Sequence, residues 1–493
     1  MKKFLSLPIT VRLFLLALIL RLIPVLFAIH LPIGLDDMFQ YDMLARSIVS
    51  GNGYRWYAQE DIELVRQFID LDFIAPSTGT TLPQAGEGPG VRGEYDPRGV
   101  LTSFRAPGYP AFLAGIYAIS GLEWRLFAAR LVQAALGATL APMTYLLSRR
   151  LFPKREDVAR FAGLALAIYP MLVLYPLALA TETLFIPLVL AGTLALLRAA
   201  ETRRASDFLL AGAIFGGATL TRSVIFAFVG LAPFWIWFAA KQRRGAVYFA
   251  LAVLALVLPW SLRNTFLHNR PTFVENSFGY NFHMGFHPQG TGTFQFGISL
   301  ELVPYLDDAV RNELGMQKGW QFIRDDPGRV PQLTLNKLGY FFSLERRALA
   351  YFYSNNFFGN IPTVPLIVLF LLFTLPFPFL ATLAAIAVPF VQVTKERLLI
   401  YFLAIGYLLP HLILIAEERF HVALVPMIAV FAGYAWYNRA EIWAAAKANR
   451  LQLAAAAILV ALLWLNWGGE LVRDADKLAL LFGPDGNHAG FSY

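Results

Sequence analysis

The chain has 493 residues, 57% of them hydrophobic and 15% charged, with a mean hydropathy of +0.54. An ordinary soluble domain carries nearer a quarter charged residues, so composition excludes that class. The net charge of +8 comes from basic clusters between apolar blocks, which is a topology signal and not a nucleic-acid surface, and the absence of cysteine excludes disulfides and thiolate metal sites.

In chain order, Met1-Lys2-Lys3 precede an apolar block at 11–30 with no small-residue cleavage site, so this block is expected to be a retained first helix. Further blocks follow at 125–151, 158–175, 182–197, 208–222, 223–240, 246–262, 362–393, 398–415, 420–437 and 451–467. Most are near the ~18 to 20 residues that cross a bilayer core. Nothing reads as the short alternating strands of a barrel. The expectation is an all-α polytopic membrane protein with about eleven spans.

Basic clusters test the topology. They lie at Lys2/Lys3, Arg149/Arg150/Lys154/Arg155, Arg198/Arg203/Arg204, Lys241/Arg243/Arg244, Lys395/Arg397 and Arg439/Lys447/Arg450. Eleven spans place every cluster on the cytoplasmic side, with the N-terminus inside. The apolar stretch 107–122 must then not cross, and it is read as a helix on the outer face. Residues 1–467 form the membrane domain, with long outer loops at 31–124 and 263–361, and 468–493 form an outer tail. The second loop carries a surface helix near 307–323. Long loops inside a compact protein are usually functional, so the chemistry is placed outside.

Asp36 and Asp37 follow the first span. Carboxylates at a membrane exit are costly against lipid and should face water, a cation or a substrate. One reading is a general base that deprotonates an acceptor; the other is a helix cap with charge favouring the helix N-terminus. Glu182, in Thr181-Glu182-Thr183, is either a second acid or part of a cap. Arg105, Arg222, Arg263 and Arg419 sit at outer ends, where topology disfavours arginine. Guanidinium forks bind phosphate bidentately, whereas the bland reading is snorkelling or pairing with Glu417 or Glu418. His283 and His287 are four apart, but Gly285 and Pro288 speak against a helix and no metalloprotease motif is completed. No nucleotide fingerprint occurs, so an outer enzyme would need a pre-activated lipid-linked donor.

The segments together resemble the GT-C fold glycosyltransferases, specifically the family 39-like branch with the protein O-mannosyltransferases and lipid A aminoarabinose transferases. The resemblance rests on the acidic pair with Tyr41-x-x-x-Ala45-Arg46, Gly51-Asn52-Gly53-Tyr54, Arg105-Ala106-Pro107-Gly108-Tyr109-Pro110, Thr181-Glu182, Pro259-Trp260-Ser261-Leu262-Arg263-Asn264, and Glu418-Arg419-Phe420 with Pro426. It implies a GT-C fold in the cell membrane and inverting transfer of a sugar from a polyprenyl-phosphate donor to a lipid, glycan or protein acceptor on the extracytoplasmic face. Asp37, four residues before Tyr41, matches the family's acid, with Asp36 the close alternative; Glu182 is kept as a catalytic candidate on the residue reading above. Arg105 matches the residue that meets the lipid phosphate, helped by Arg222, Arg263 or Arg419. Tyr41, Tyr109 and His283 are expected to line the substrate. No cofactor or resident metal is assigned, although a divalent ion stays open, and nucleic acid is not a partner. Met38 stands where the family has a second acid after Asp37, Gln40 where aminoarabinose transferases have arginine, and Arg105-Ala106-Pro107 where they have Lys-Pro-Pro. With these departures the resemblance names neither sugar nor acceptor. The rival class is a transporter or flippase of a lipid-linked or anionic substrate, for which midplane charges and repeated halves are the signature.

Overall fold

A computed structural model describes residues 6–34, 37–66, 96–305, 307–346 and 361–483. Asp36 lies outside the described residues. The first span is α1 (Ile9–Phe27), followed by α2 (Asp37–Val49), the short α3 (Gln59–Val65) and α4 (Gly108–Ser120). A two-residue antiparallel ladder pairs Arg55–Trp56 with Val100–Leu101. Then come α5 (Arg125–Leu151), α6 (Glu156–Ile168), α7 (Pro170–Leu174), α8 (Glu182–Thr202), α9 (Ala205–Thr221), α10 (Phe226–Phe234) and α11 (Arg243–His268). The second loop carries α12 (Phe278–Phe286), α13 (Phe296–Leu300), α14 (Asp308–Asp325) and α15 (Arg329–Phe341). The chain ends in α16 (Thr363–Thr374), α17 (Pro376–Ala387), α18 (Lys395–Ile413), α19 (Val425–Tyr437), α20 (Arg439–Ala448), α21 (Arg450–Arg473) and α22 (Ala475–Phe482).

All eleven expected spans are helical, but among the described residues eight helices are long and apolar enough to cross a membrane, or nine with one bent pair. The protein is a multi-pass, all-α membrane protein. The two remaining segments fall short for separate reasons. Helix α9 has 17 residues, or roughly 26 Å at 1.5 Å per residue, against a core of ~30 Å. The stretch 223–239 is interrupted by a 3₁₀ turn before α10 and a π turn after it. Helix α4, expected to stay on one face, has 13 residues and is too short to span. On α11, Leu251, Leu254, Leu258 and Leu262 are all exposed, an apolar stripe at helical spacing that suits lipid.

The bent pair is α6 with the segment Pro170–Leu177, which turn by 49° at the break. Pro170 lacks an N–H and drives Tyr169 extended, so the last carbonyls of α6 lose their helical donors. Buried Arg21 replaces them, and buried Arg130 and Gln133 hold the chain that follows. Arg21 donates to the carbonyls of Leu166 and Ala167, both at 3.1 Å. Arg130 donates to Leu177 at 3.0 Å and to Ala28 at 3.1 Å, and Gln133 to Pro176 at 3.0 Å and Ala178 at 3.1 Å. The break carries the chain into 178–182 and the site.

Two glycines allow helices to touch. A Cβ on Gly212 of α9 would stand 2.3 Å from the Phe249 carbonyl of α11, and one on Gly279 of α12 would stand 1.8 Å from the Asn312 carbonyl of α14. Such small-residue contacts let helix backbones approach closely. Helix α14 matches the surface helix expected in the second loop, and Asp307 caps it by accepting from Ala309 N and Val310 N. The boundary expected at 467/468 falls within α21, which continues to Arg473 while Arg346 engages Glu470 and Asp474.

Candidate active site

One cavity of about 1320 Å³ gathers residues that are far apart in the chain. Helix α2 contributes Asp37, Gln40 and Tyr41, and the stretch before α4 contributes Arg105. The start of α8 brings Glu182, the residue after α9 brings Arg222, and a 3₁₀ turn before α19 brings Arg419 and Glu417.

Arg105 is fixed by its surroundings. Thr102 Oγ1 and Ser103 N donate to Asp308 of α14, at 2.6 and 2.7 Å. Asn276 N donates to the Ser103 carbonyl at 2.9 Å, and Tyr54 OH donates to the Arg105 carbonyl at 2.9 Å. The backbone at 102–105 is thus pinned between the two long loops. The guanidinium Nε donates to Gln40 at 2.9 Å and one NH2 donates to Asp37. Its Cζ lies 5.5 Å from the Tyr41 ring centroid and 5.3 Å from that of Phe104. Arg419 donates from Nε to Glu417 at 2.6 Å and from NH2 to the other Asp37 oxygen at 3.1 Å. Arg222 is committed to Glu182 and donates to Thr181 Oγ1 at 3.1 Å.

Burial pushes the Asp37 carboxyl up, but Arg105 and Arg419 more than offset this and hold it well below the usual carboxylate range. Burial likewise raises the Tyr41 phenol to about 12, although Arg105 opposes it. Asp37 is therefore ionised and weakly basic while both arginines hold it, and Tyr41 is neutral.

The other expected residues are not brought together here. Arg263 does not line the cavity; it donates to the Thr102 carbonyl at 2.7 Å and lies 4.8 Å from the Trp260 ring. Tyr109 lies behind the wall, buried edge-on to Tyr41 with ring centroids 5.1 Å apart, and donates to Gln133 at 2.5 Å. His283 also lies off the cavity. The expectation that Gly285 and Pro288 prevent a helix there is corrected: α12 runs through His283 and Gly285 and ends before His287. Gly285 is accommodated because the Leu414 carbonyl sits where its Cβ would be.

His283, His287 and Glu301 offer ligand atoms within 4.8 Å of one another. Glu301 lies 3.2 Å from His283 Nε2 and 3.1 Å from His287 Nε2. However, Gln289 N–H donates to His287 Nδ1 at 3.2 Å, so a neutral His287 turns a proton toward Glu301 and not a lone pair. Metal-bound histidine shows the reverse, donating its remote N–H. The trio is a set of close imidazole–carboxylate contacts in which neither His283 ring nitrogen has a hydrogen-bond partner among the described residues, and His287 is turned the wrong way for a metal ligand.

Sequence reasoning missed Glu275. It lines the cavity, accepts from Ala106 N at 3.1 Å and from Ser223 Oγ, and forms no ion pair among the described residues. Its segment is held by Val274, whose carbonyl accepts from Trp260 Nε1 at 2.9 Å and Asn264 Nδ2 at 3.0 Å. No motif points to it; the available signal was a lone acid in the polar part of the second loop.

Residues 105–262, about a third of the chain, match the family model described as dolichyl-phosphate-mannose-protein mannosyltransferase. No curated protein matches the sequence. Among solved structures, the chain is similar to ArnT from Cupriavidus metallidurans bound to undecaprenyl phosphate, at 13% identity and a TM-score of 0.48, over 96% of this chain and 64% of that one. It is also similar to the apo oligosaccharyltransferase of Archaeoglobus fulgidus, at 16% identity and a TM-score of 0.49, over 99% of this chain and 61% of that one. The chain spans a little under two thirds of the length of both.

Proposed function

We propose that this chain, whose residues 105–262 match that mannosyltransferase family model, transfers a sugar from a polyprenyl-phosphate donor to a lipid, glycan or protein acceptor, with inversion, through a GT-C active site. The observation that carries the reading is the convergence of Asp37, Glu182, Arg105, Arg222 and Arg419 on one cavity from five separate segments. Guanidinium forks suit phosphate, and a carboxylate within reach suits the deprotonation of a sugar acceptor.

In the step envisaged, Asp37 takes the proton from an acceptor hydroxyl or amine. That atom bonds to the anomeric carbon from the face opposite the phosphate, the carbon–oxygen bond to phosphate breaks, and the electron pair leaves on the polyprenyl phosphate. Arg105 and Arg419 stabilise the departing charge. Arg222 orders Glu182 on the cavity wall. Asp36 and Arg263 have no assigned contact with the substrate, and Tyr41 forms part of the wall.

The extracytoplasmic placement is supported by the two ends of single helices. Helix α8 puts Glu182 in the cavity at one end and Arg198 near the other; α18 puts His411 in the cavity and starts at Lys395. The cavity and the basic clusters thus lie at opposite ends of the same helices, and basic clusters face the cytoplasm.

The transporter reading expects charges at the midplane. Arg21 and Arg130 are buried charges within spans, but they are bonded to main-chain carbonyls at the helix break and just beyond it. The test is turnover in nanodiscs with a panel of polyprenyl-phosphate sugars and membrane extract as acceptor. Wild type is expected to release polyprenyl phosphate and Asp37→Asn to lose at least about 10³-fold in rate. Translocation of an intact lipid-linked substrate without release would favour the transporter.

A further inference from the structure

We propose that Asp37 occupies the position of the donor phosphate on Arg105 and Arg419, so that seating the donor displaces Asp37 and thereby turns it into the base. This rests on the donor reading above and deepens it.

The geometry has three parts. First, each guanidinium is anchored through Nε, Arg105 by Gln40 and Arg419 by Glu417, and each turns an NH2 edge to Asp37. The two edges meet on the two oxygens of one carboxylate, one arginine per oxygen. Tetrahedral phosphate offers the same donors two or three oxygens and more charge, so it competes for those edges. Second, the anchors do not depend on Asp37, and the forks keep their planes when it leaves. Third, the exchangeable carboxylate can be recognised by its exposure. Asp37 is 31% exposed, whereas Glu182, paired with Arg222, is 3% exposed and also accepts from Thr181 Oγ1 at 3.1 Å. Leaving Glu182 without its cation would strand a buried charge, which is costly. Asp37 can turn toward the cavity.

The consequence is an ordered reaction. While Asp37 is clamped, the arginines that hold its carboxyl low also make it a poor proton acceptor. A phosphate on Arg105 and Arg419 removes both cations from Asp37 and sets an anion beside it. Both changes favour the protonated carboxyl, so basicity rises only when a donor is present to be attacked. An acceptor arriving first meets an inactive base.

The test is binding, which a base alone would not alter. Undecaprenyl phosphate is titrated into nanodiscs holding wild type, Asp37→Asn, Asp37→Ser and Glu182→Gln, with undecaprenol as the control lacking phosphate. Both Asp37 variants are expected to bind undecaprenyl phosphate about 5- to 10-fold more tightly than wild type while transferring nothing, since a competing internal anion has been removed. Glu182→Gln is expected not to tighten binding. Equal or weaker binding by both folded Asp37 variants, with wild-type binding intact, overturns the displacement. Wild type binding the phosphate no better than undecaprenol instead overturns the donor reading beneath it.

Discussion

The molecule has two sets of arginines, one fully buried and one half-buried on the cavity wall, that differ in what they hold. Arg21 and Arg130 bond main-chain carbonyls around the break between α6 and α7. Arg105, Arg222 and Arg419 bond carboxylates on a cavity wall. A carbonyl is fixed by the backbone and cannot be exchanged without unfolding the segment. A side-chain carboxylate can rotate away, and an incoming anion can take its place. The same residue type is therefore a strut in one place and, on the proposed reading, a receptor in the other, and the partner decides which.

The largest expected effect on this contrast comes from the receptor set. Arg105→Ala should lower transfer about 100-fold or more and weaken undecaprenyl phosphate binding, with the melting temperature little changed. Arg105→Lys should recover only part of this, because an ammonium cannot hold Gln40 and a phosphate in one plane. If Arg105→Ala instead melted the protein and left transfer per folded molecule unchanged, Arg105 would belong with the struts.

Arg21→Met tests the other side. It keeps bulk and removes the donors to Leu166 and Ala167, so it should cost about 2–4 kcal/mol of stability. Thermal unfolding in detergent would detect this, and phosphate affinity of the surviving folded fraction should be unchanged. A selective loss of affinity at full stability would collapse the distinction.

The same contrast explains what was legible in the sequence. That Asp37, Glu182, Arg105, Arg222 and Arg419 share a cavity was readable because acids and arginines at the expected outer helix ends violate the usual cost rules, and motif order tied them together. Arg21 and Arg130 went unremarked because a helix break is a tertiary event: only the placement of α1 and α5 against Pro170 shows which carbonyls need donors. Arg263 looked like the cavity arginines because it too ends a span, but its fork points at the Thr102 carbonyl. The eleven helical segments followed from hydropathy, whereas the shortness of α9 and the interruptions around α10 did not. The helix through His283 formed despite Gly285, because close packing against Leu414 needs a residue without a side chain there.

Glu275 gives a smaller effect. It is a cavity carboxylate with hydrogen bonds but no ion pair among the described residues. Glu275→Gln can keep either accepted bond and removes the charge. If the charge orients the acceptor, the acceptor KM should rise about 10-fold with undecaprenyl phosphate binding unchanged. A parallel loss of both would mean that Glu275 only holds the backbone beside Arg105.

The smallest effect comes from a third buried cation, one that can discard its charge. Lys337 of α15 is fully buried, donates to the Ile413 carbonyl at 3.2 Å and sits 3.8 Å from the Phe286 ring centroid. Like Arg21 it is bonded to a carbonyl, but arginine stays protonated when buried and lysine need not. Burial lowers Lys337 to about 7 from 10.5. Between those values the unfolded chain binds a proton on Lys337 that the folded chain does not, so stability should rise with pH across this window. Below pH 7 both states are protonated and the cost of the buried charge is constant. The melting temperature in detergent should therefore climb modestly from pH 7 toward 10, and Lys337→Met should flatten the climb and gain most at low pH. If Lys337→Met followed the wild-type curve, Lys337 would retain its proton when folded, and the carbonyl and ring would be holding a cation as firmly as the carbonyls hold Arg21.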